Sequence, residues 1–256
     1  DYRAFYILDQ IGLEALSSWG DYELAAKCFR ESLEKQPNDI PAILGLSESL
    51  RMQGNWAGYF SSIQPFLTCE TEDAGFAVNY LSQVFKELDA RTYALWHEKI
   101  DAMPQTLANT HPRDSAALLF AGSWFLSTGQ DRKSMEYFRQ WRDLDPENIS
   151  AQTLRISATE RTEGEEAARA ECREALKWVS GAKERSSIYS SMGNYLYQLG
   201  HEKKAFKSFE QALKLNPDDI STLNNYAYFL SLSGKKLRKA EKMSRRVLES
   251  NPDNDS

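Results

Sequence analysis

A chain of 256 residues with 31 basic and 37 acidic side chains carries a net charge of −6, which argues against a general nucleic-acid binder. Its three cysteines, Cys28, Cys69 and Cys172, are far apart and show neither metal nor redox spacing. The longest apolar run, residues 116–126, is interrupted by Gly122 and Ser123 and is too short to be a transmembrane segment.

The chain divides into units of nearly constant length. The first, residues 6–39, turns at Trp19-Gly20-Asp21-Tyr22 and carries Ala25, Phe29 and Pro37 at fixed distances beyond that corner; residues 1–5 are expected to extend its first helix. Residues 40–74 keep Leu46, Leu50 and Gly54 but have Tyr59 where a small residue is expected. Pro65 predicts a short or bent second helix there. Residues 75–114 are the least regular. Val78, Leu81, Val84, Phe85 and Leu88, then Tyr93, Trp96 and Ile100, recur at helical spacing. The break falls near Asp89 and Ala90, without a glycine.

Register then recovers. Residues 115–148 carry Leu118, Gly122, Gly129, Ser134, Phe138, Trp141 and Pro146. Residues 149–185 keep Ala168, Cys172 and Ala175, shift the turn to Glu163-Gly164-Glu165, and end without proline at Ser180-Gly181. The clearest unit is 186–219, with Gly193, Gly200, Ala205, Phe209, Ala212 and Pro217. Small residues at 193 and 205 let two antiparallel helices approach, with Phe209 filling the wedge between them. Gly200 permits the sharp turn, Pro217 ends the second helix, and Asp218 is expected near the start of the next. Residues 220–254 repeat the scheme with Leu223, Ala227, Leu230 and Gly234, one extra residue after the turn, then Ala240 and Pro252. Cys28 and Cys172 fall on the buried stripes of second helices and read as small core residues.

This pattern resembles the tetratricopeptide repeat, a helix–turn–helix unit of about 34 residues. One such pair cannot bury its apolar stripe alone, so stacked neighbours are implied. The expected fold is all-α, a right-handed superhelical solenoid of about seven repeats forming one domain over residues 1–256. A start inside a helical pattern and an end just after Pro252 suggest a piece of a longer protein. The stretch Asn224–Asn254, NNYAYFLSLSGKKLRKAEKMSRRVLESNPDN, is similar to tetratricopeptide proteins of Bacteroidetes, many of them lipoproteins or envelope-associated. That resemblance implies a bacterial scaffold in the cell envelope or periplasm, with the cytoplasm as the alternative.

Residues for chemistry are scarce. His97, His111 and His201 lie at unrelated phases, and the neighbours in Trp96-His97-Glu98 do not face one another on a helix. There is no phosphate-binding loop and no nucleophile elbow. The expectation is a protein that is not an enzyme, with no cofactor and no metal. The basic run Lys235, Lys236, Arg238, Lys239, Lys242, Arg245 and Arg246 reads as an outer helix whose long side chains cover apolar surface. The functional alternative is a patch for anionic lipid, acidic protein or nucleic acid.

The family resemblance implies that first helices line a concave groove through fixed positions of each unit. Those positions hold Thr153 and Ser157 in one unit, Ser187, Ser190, Asn194, Tyr197 and Gln198 in the next, and Asn224, Tyr228 and Ser231 in the last. Amide and hydroxyl groups of this kind suit an extended peptide, and tyrosine adds contact area at low entropic cost. In members that clamp a C-terminal carboxylate, two asparagines work with lysines. Asn194 and Asn225 fill the asparagine positions here, but Ser190 stands where a lysine is needed. The expected function is a non-catalytic scaffold binding a protein or peptide partner. The alternatives are self-association through exposed repeat ends, or a regulatory arm of a larger enzyme.

Overall fold

The computed structural model describes residues 2–250, with side chains from residue 5 onward. Pro252, expected to close the last unit, lies outside the described residues. All regular structure among those residues is helical. The helices are α1 (Tyr2–Glu14), α2 (Tyr22–Lys35), α3 (Ile40–Met52), α4 (Trp56–Leu67), α5 (Ala74–Lys86), α6 (Ala90–Thr110) and α7 (Ser115–Ser127). They continue as α8 (Asp131–Leu144), α9 (Ile149–Glu163), α10 (Glu165–Trp178), α11 (Ala182–Gln198), α12 (Glu202–Leu215), α13 (Ile220–Leu232) and α14 (Leu237–Ser250). Consecutive helices pair as helix–turn–helix units, the all-α repeat architecture the sequence pattern predicts.

Short-range chemistry sets the boundaries. Gly200, at φ +76°, adopts a left-handed backbone that a side chain would strain. After most of the repeat-ending prolines an Asx residue caps the next first helix. Asp39 accepts from the Ala42 amide at 3.0 Å, Asp114 from Ala117 at 3.0 Å, Asn148 from Ala151 at 3.1 Å and Asp219 from Thr222 at 3.2 Å. Each cap satisfies an amide that has no intrahelical acceptor. In the last repeat the cap is therefore Asp219. Asp218 instead pairs with Arg246.

Four local features depart from the simple pattern. A π-helical turn, Ala15–Trp19, follows α1 before the corner glycine. Helix α4 continues through Pro65, whose ring nitrogen has no hydrogen to offer the Ser61 carbonyl, and ends two residues later at Leu67. Helix α11 begins at Ala182, a full turn before Ser186, because Gly181 ends the extended link and nothing after it breaks a helix. The extra residue after the last corner is absorbed by Lys236, which takes φ +50° just after Gly234 at φ +66°.

The chain forms two compact units, residues 1–121 and 122–256. In the first, Ala25, Phe29, Ala42, Leu46 and Leu50 bury the seam between α1, α2 and α3. Tyr59 is fully buried in the place of a small residue, with Trp56 and Phe60 packed around its ring at 5.6 and 5.5 Å. Phe60 reaches Trp96 of α6 at 5.7 Å, joining the irregular third pair to the second.

In the second unit the core runs through Phe209, Leu223, Tyr226, Ala227 and Leu230. Full burial of a ring such as Phe209 contributes about 1.5–3 kcal/mol. Cys28 and Cys172 are buried in their respective cores, as expected of small apolar residues. The joint between α10 and α11 lacks proline. There the Arg185 guanidinium donates to the carbonyl oxygens of Leu176 at 2.6 Å and Val179 at 2.8 Å, holding the end of α10 against the start of α11.

Candidate partner-binding surfaces

The second unit contains all the residues expected to line a groove, and they occupy three different settings. On α9, Thr153 is half-buried and its hydroxyl donates back to the Ile149 carbonyl at 2.9 Å; Ser157 is half-buried one turn on. On α11, Ser187 and Gln198 are exposed, whereas Ser190 is buried and withdrawn from any surface contact. Asn194 is half-buried, and its Oδ1 is enclosed without a hydrogen-bond donor. The Tyr197 ring stacks on Phe229 at 4.1 Å and on Phe206 at 6.1 Å, so much of it belongs to the packing between α11 and α13.

Asn224, Tyr228 and Ser231 of α13 are exposed and do come together. They line a hollow of about 390 Å³ with Leu237, Ala240, Glu241 and Ser244 of α14. Their companions are thus the second helix of the same pair, not the side chains of α11. Spacing of three and four residues along α13 puts the trio on one stripe, with Tyr228 standing 57% exposed.

A second hollow, of about 350 Å³, lies in the first unit and was not expected. Its walls are mainly first helices: Asp9 and Leu13 of α1, Leu16 of the π-helical turn that follows, Leu44 and Glu48 of α3, and Tyr80 of α5, with the Phe29 ring beside Gly45. A side chain at Gly45 would run into that ring, so the glycine keeps α3 close to it. The lining is mainly apolar, yet Leu13 remains 51% exposed.

Its two carboxylates differ. Glu48 is engaged by the Arg51 guanidinium, whose Nε lies 3.0 Å from Oε2, and Arg51 also pairs with Glu87 at 2.8 Å. Among the described residues Asp9 has no such cation. Burial raises its pKa above the ordinary carboxylate range, the charge of Asp39 adds to the rise, and the Ser32 hydroxyl opposes it. Burial likewise pushes up the phenols of Tyr80 and, to about 12, Tyr59.

The sequence signal for this hollow is the apolar character of α1 and α3 on more than their core-facing stripe. Leu13 and Leu44 read as core residues until their neighbours are placed.

Catalytic geometry is sparse. His97 on α6 and His201 in the turn before α12 are both exposed. Among the described residues, no group of three or more His, Cys, Asp or Glu side chains could hold a metal ion. No described helix is long and apolar enough to cross a membrane.

Family models of the tetratricopeptide repeat match residues 7–39, 186–219 and 208–242. These segments carry the tetratricopeptide-repeat pattern. A TPR repeat-containing protein of Methanocaldococcus jannaschii is 45% identical over 65 residues, 24% of this chain and 12% of that protein. The DnaJ homolog subfamily C member 7 homolog of Schizosaccharomyces pombe is 19% identical over 221 residues, 80% of this chain and 40% of that protein. The chain therefore matches well under half the length of either relative.

Among solved structures, MamA of Desulfovibrio magneticus RS-1, from residue 41 to its end, superposes with a TM-score of 0.53 at 14% identity. The match covers 73% of this chain and 100% of that one. At that identity the likeness concerns the fold alone. It agrees with the repeat pairs described above, and no catalytic family is indicated.

Proposed function

We propose that the chain is a non-catalytic scaffold that holds a peptide or protein partner against the faces of its first helices. Tetratricopeptide repeats generally mediate protein–protein interaction. The observation that carries the reading here is the apolar hollow between α1, α3 and α5, with Leu13 and Leu44 on its wall and the cation-free Asp9 beside them. Such a site suits a bulky apolar anchor followed by a basic residue, whose charge would restore to Asp9 the partner it lost with solvent. The hollow at Asn224, Tyr228 and Ser231 supplies amide and hydroxyl contacts of the expected kind. Seven repeats acting as one domain over residues 1–256, in a bacterial envelope setting, complete the proposal; the similarity of Asn224–Asn254 to Bacteroidetes repeat proteins supports that setting.

The test is a peptide array probed with the whole chain and with two variants, Leu13→Glu/Leu44→Glu and Asn224→Ala/Tyr228→Ala. Selection of peptides pairing an apolar with a basic residue, lost in the first variant, is the expected result. Binding lost only in the second variant would move the site to α13. Binding indifferent to both variants would end the groove reading.

A further inference from the structure

The acidic balance of the chain is uneven. Residues 1–121 contain 17 acidic and 9 basic side chains, whereas residues 202–250 contain 6 acidic and 11 basic ones. The cations of that last stretch are not scattered. On α12, Lys203, Lys207 and Lys214 fall at spacings of four and seven, which sets them in one row on the side opposite the buried Ala205, Phe209 and Ala212. On α14, Arg238, Lys242 and Arg245 make a second row opposite Ala240 and Met243. All six are exposed.

Glu210 shares the α12 row and Glu249 the α14 row, and the ion pairs of this region engage the first of them. Lys235 meets Glu202 at 2.6 Å, Lys239 meets Glu210 at 3.0 Å, and Arg246 meets Asp218. These contacts tie α14 and the turn before it to α12 and its following turn, and they engage Glu202, Glu210 and Asp218, leaving Glu249 as the carboxylate on the α14 row outside them. Of the six outward cations only Arg245 has an acidic partner, Glu241 at 2.9 Å. The other five have no carboxylate within ion-pairing distance among the described residues. Five unneutralised charges on two tethered helices make a preorganised positive face on an otherwise acidic chain.

From this geometry we infer a second interaction surface, independent of the first-helix hollows: the outward face of α12 and α14 docks on a membrane rich in anionic phospholipid. The charges form two rows along neighbouring helices, with Lys203 also lining a hollow beside Glu202 and Lys235, and such rows match a plane of distributed charge. Leu248, 56% exposed, stands on the adjacent side of α14, one turn from Arg245, where it can enter the headgroup layer. The rows carry no aromatic residue on which bases could stack, which disfavours single-stranded nucleic acid.

The experiment is cosedimentation of the whole chain with vesicles of phosphatidylcholine, either alone or containing about a third phosphatidylserine. It is run in about 0.05 M and about 0.5 M salt, because binding through exposed charge is screened at the higher concentration. Two variants of equal charge change are compared, Lys207→Glu/Arg238→Glu/Lys242→Glu on this face and Lys27→Glu/Arg30→Glu/Lys35→Glu on α2, with helical content checked for both.

Binding to the anionic vesicles alone, lost in high salt and reduced at least about tenfold by the first variant only, is expected. No binding in low salt would overturn the inference, as would an equal loss in both variants or a bound fraction insensitive to salt. Binding of polyglutamate or duplex DNA without vesicle binding would replace it with a protein or nucleic-acid contact.

Discussion

A Cβ placed on Gly193 would lie 2.8 Å from Cε1 of Phe209, closer than real side chains approach. The missing side chain is what lets α11 and α12 come together around the ring. The same relationship recurs between Gly122 and Phe138, at 2.5 Å. Gly193→Ala should therefore destabilise the chain by about 1–3 kcal/mol through overpacking, although alanine favours a helix. Urea unfolding followed by helical signal measures it. A neutral or stabilising substitution would show that the ring has room to move.

Arg155 of α9 and Glu171 of α10 are joined by two charge-assisted hydrogen bonds, each 2.6 Å. Those bonds hold the Glu171 carboxyl below its usual range, against an opposing contribution from burial. A depressed folded pKa contributes stability that is present above the unfolded value, about 4.3, and is lost as pH falls through the folded value. Glu171→Gln should cost about 1.5–3 kcal/mol at neutral pH and flatten the decline in stability below about pH 5. Stability profiles of both proteins from pH 7 to 3 would reveal the difference, and parallel curves would contradict it.

The three thiols should react in a fixed order. Burial pushes Cys172 up to about 12 and also raises Cys28. Cys69 is held low, chiefly by the Thr71 hydroxyl at 3.3 Å, and is partly accessible. Thiolate is the reactive form. Native protein treated with iodoacetamide should be modified at Cys69 first, with Cys28 and Cys172 labelled only after unfolding. Mass spectrometry of the digests reads the order directly.

Lys236 adopts a left-handed backbone while its ammonium group reaches Glu210 at 3.5 Å. Replacement by alanine removes the ion pair and leaves the strain, whereas glycine removes both. Lys236→Gly should thus be more stable than Lys236→Ala by about 1 kcal/mol. The difference in urea midpoint isolates the backbone contribution, and identical midpoints would mean that the turn relaxes.

The repeat pattern was legible because its markers act locally. Gly200 bends a corner, Pro217 ends a helix, and Phe209 needs a small neighbour in its own pair, so each leaves a signature within a short stretch of chain. The exposure of Ser190 and Tyr197 was not legible, for the opposite reason. Position along α11 fixes the direction of a side chain, but packing from α13 decides how much of it remains uncovered.

The hollow at Leu13 and Leu44 was hidden in the same way. An apolar residue on a first helix looks like core in sequence, and only the placement of α1, α3 and α5 leaves it open. The turn from Ala182 was missed because the absent proline removed the marker by which the start of α11 would have been set.

That same joint has a mechanical consequence. At most other joints the path from one pair to the next carries a proline ring and an Asx cap, and between α4 and α5 it carries the Asp73 cap without a proline. Between α10 and α11 it is fastened by one guanidinium holding two carbonyl oxygens. A clasp made of hydrogen bonds can release and reform without melting either helix, whereas a ring cannot. Arg185 therefore does at this joint, with two reversible bonds, what a proline ring does at its neighbours.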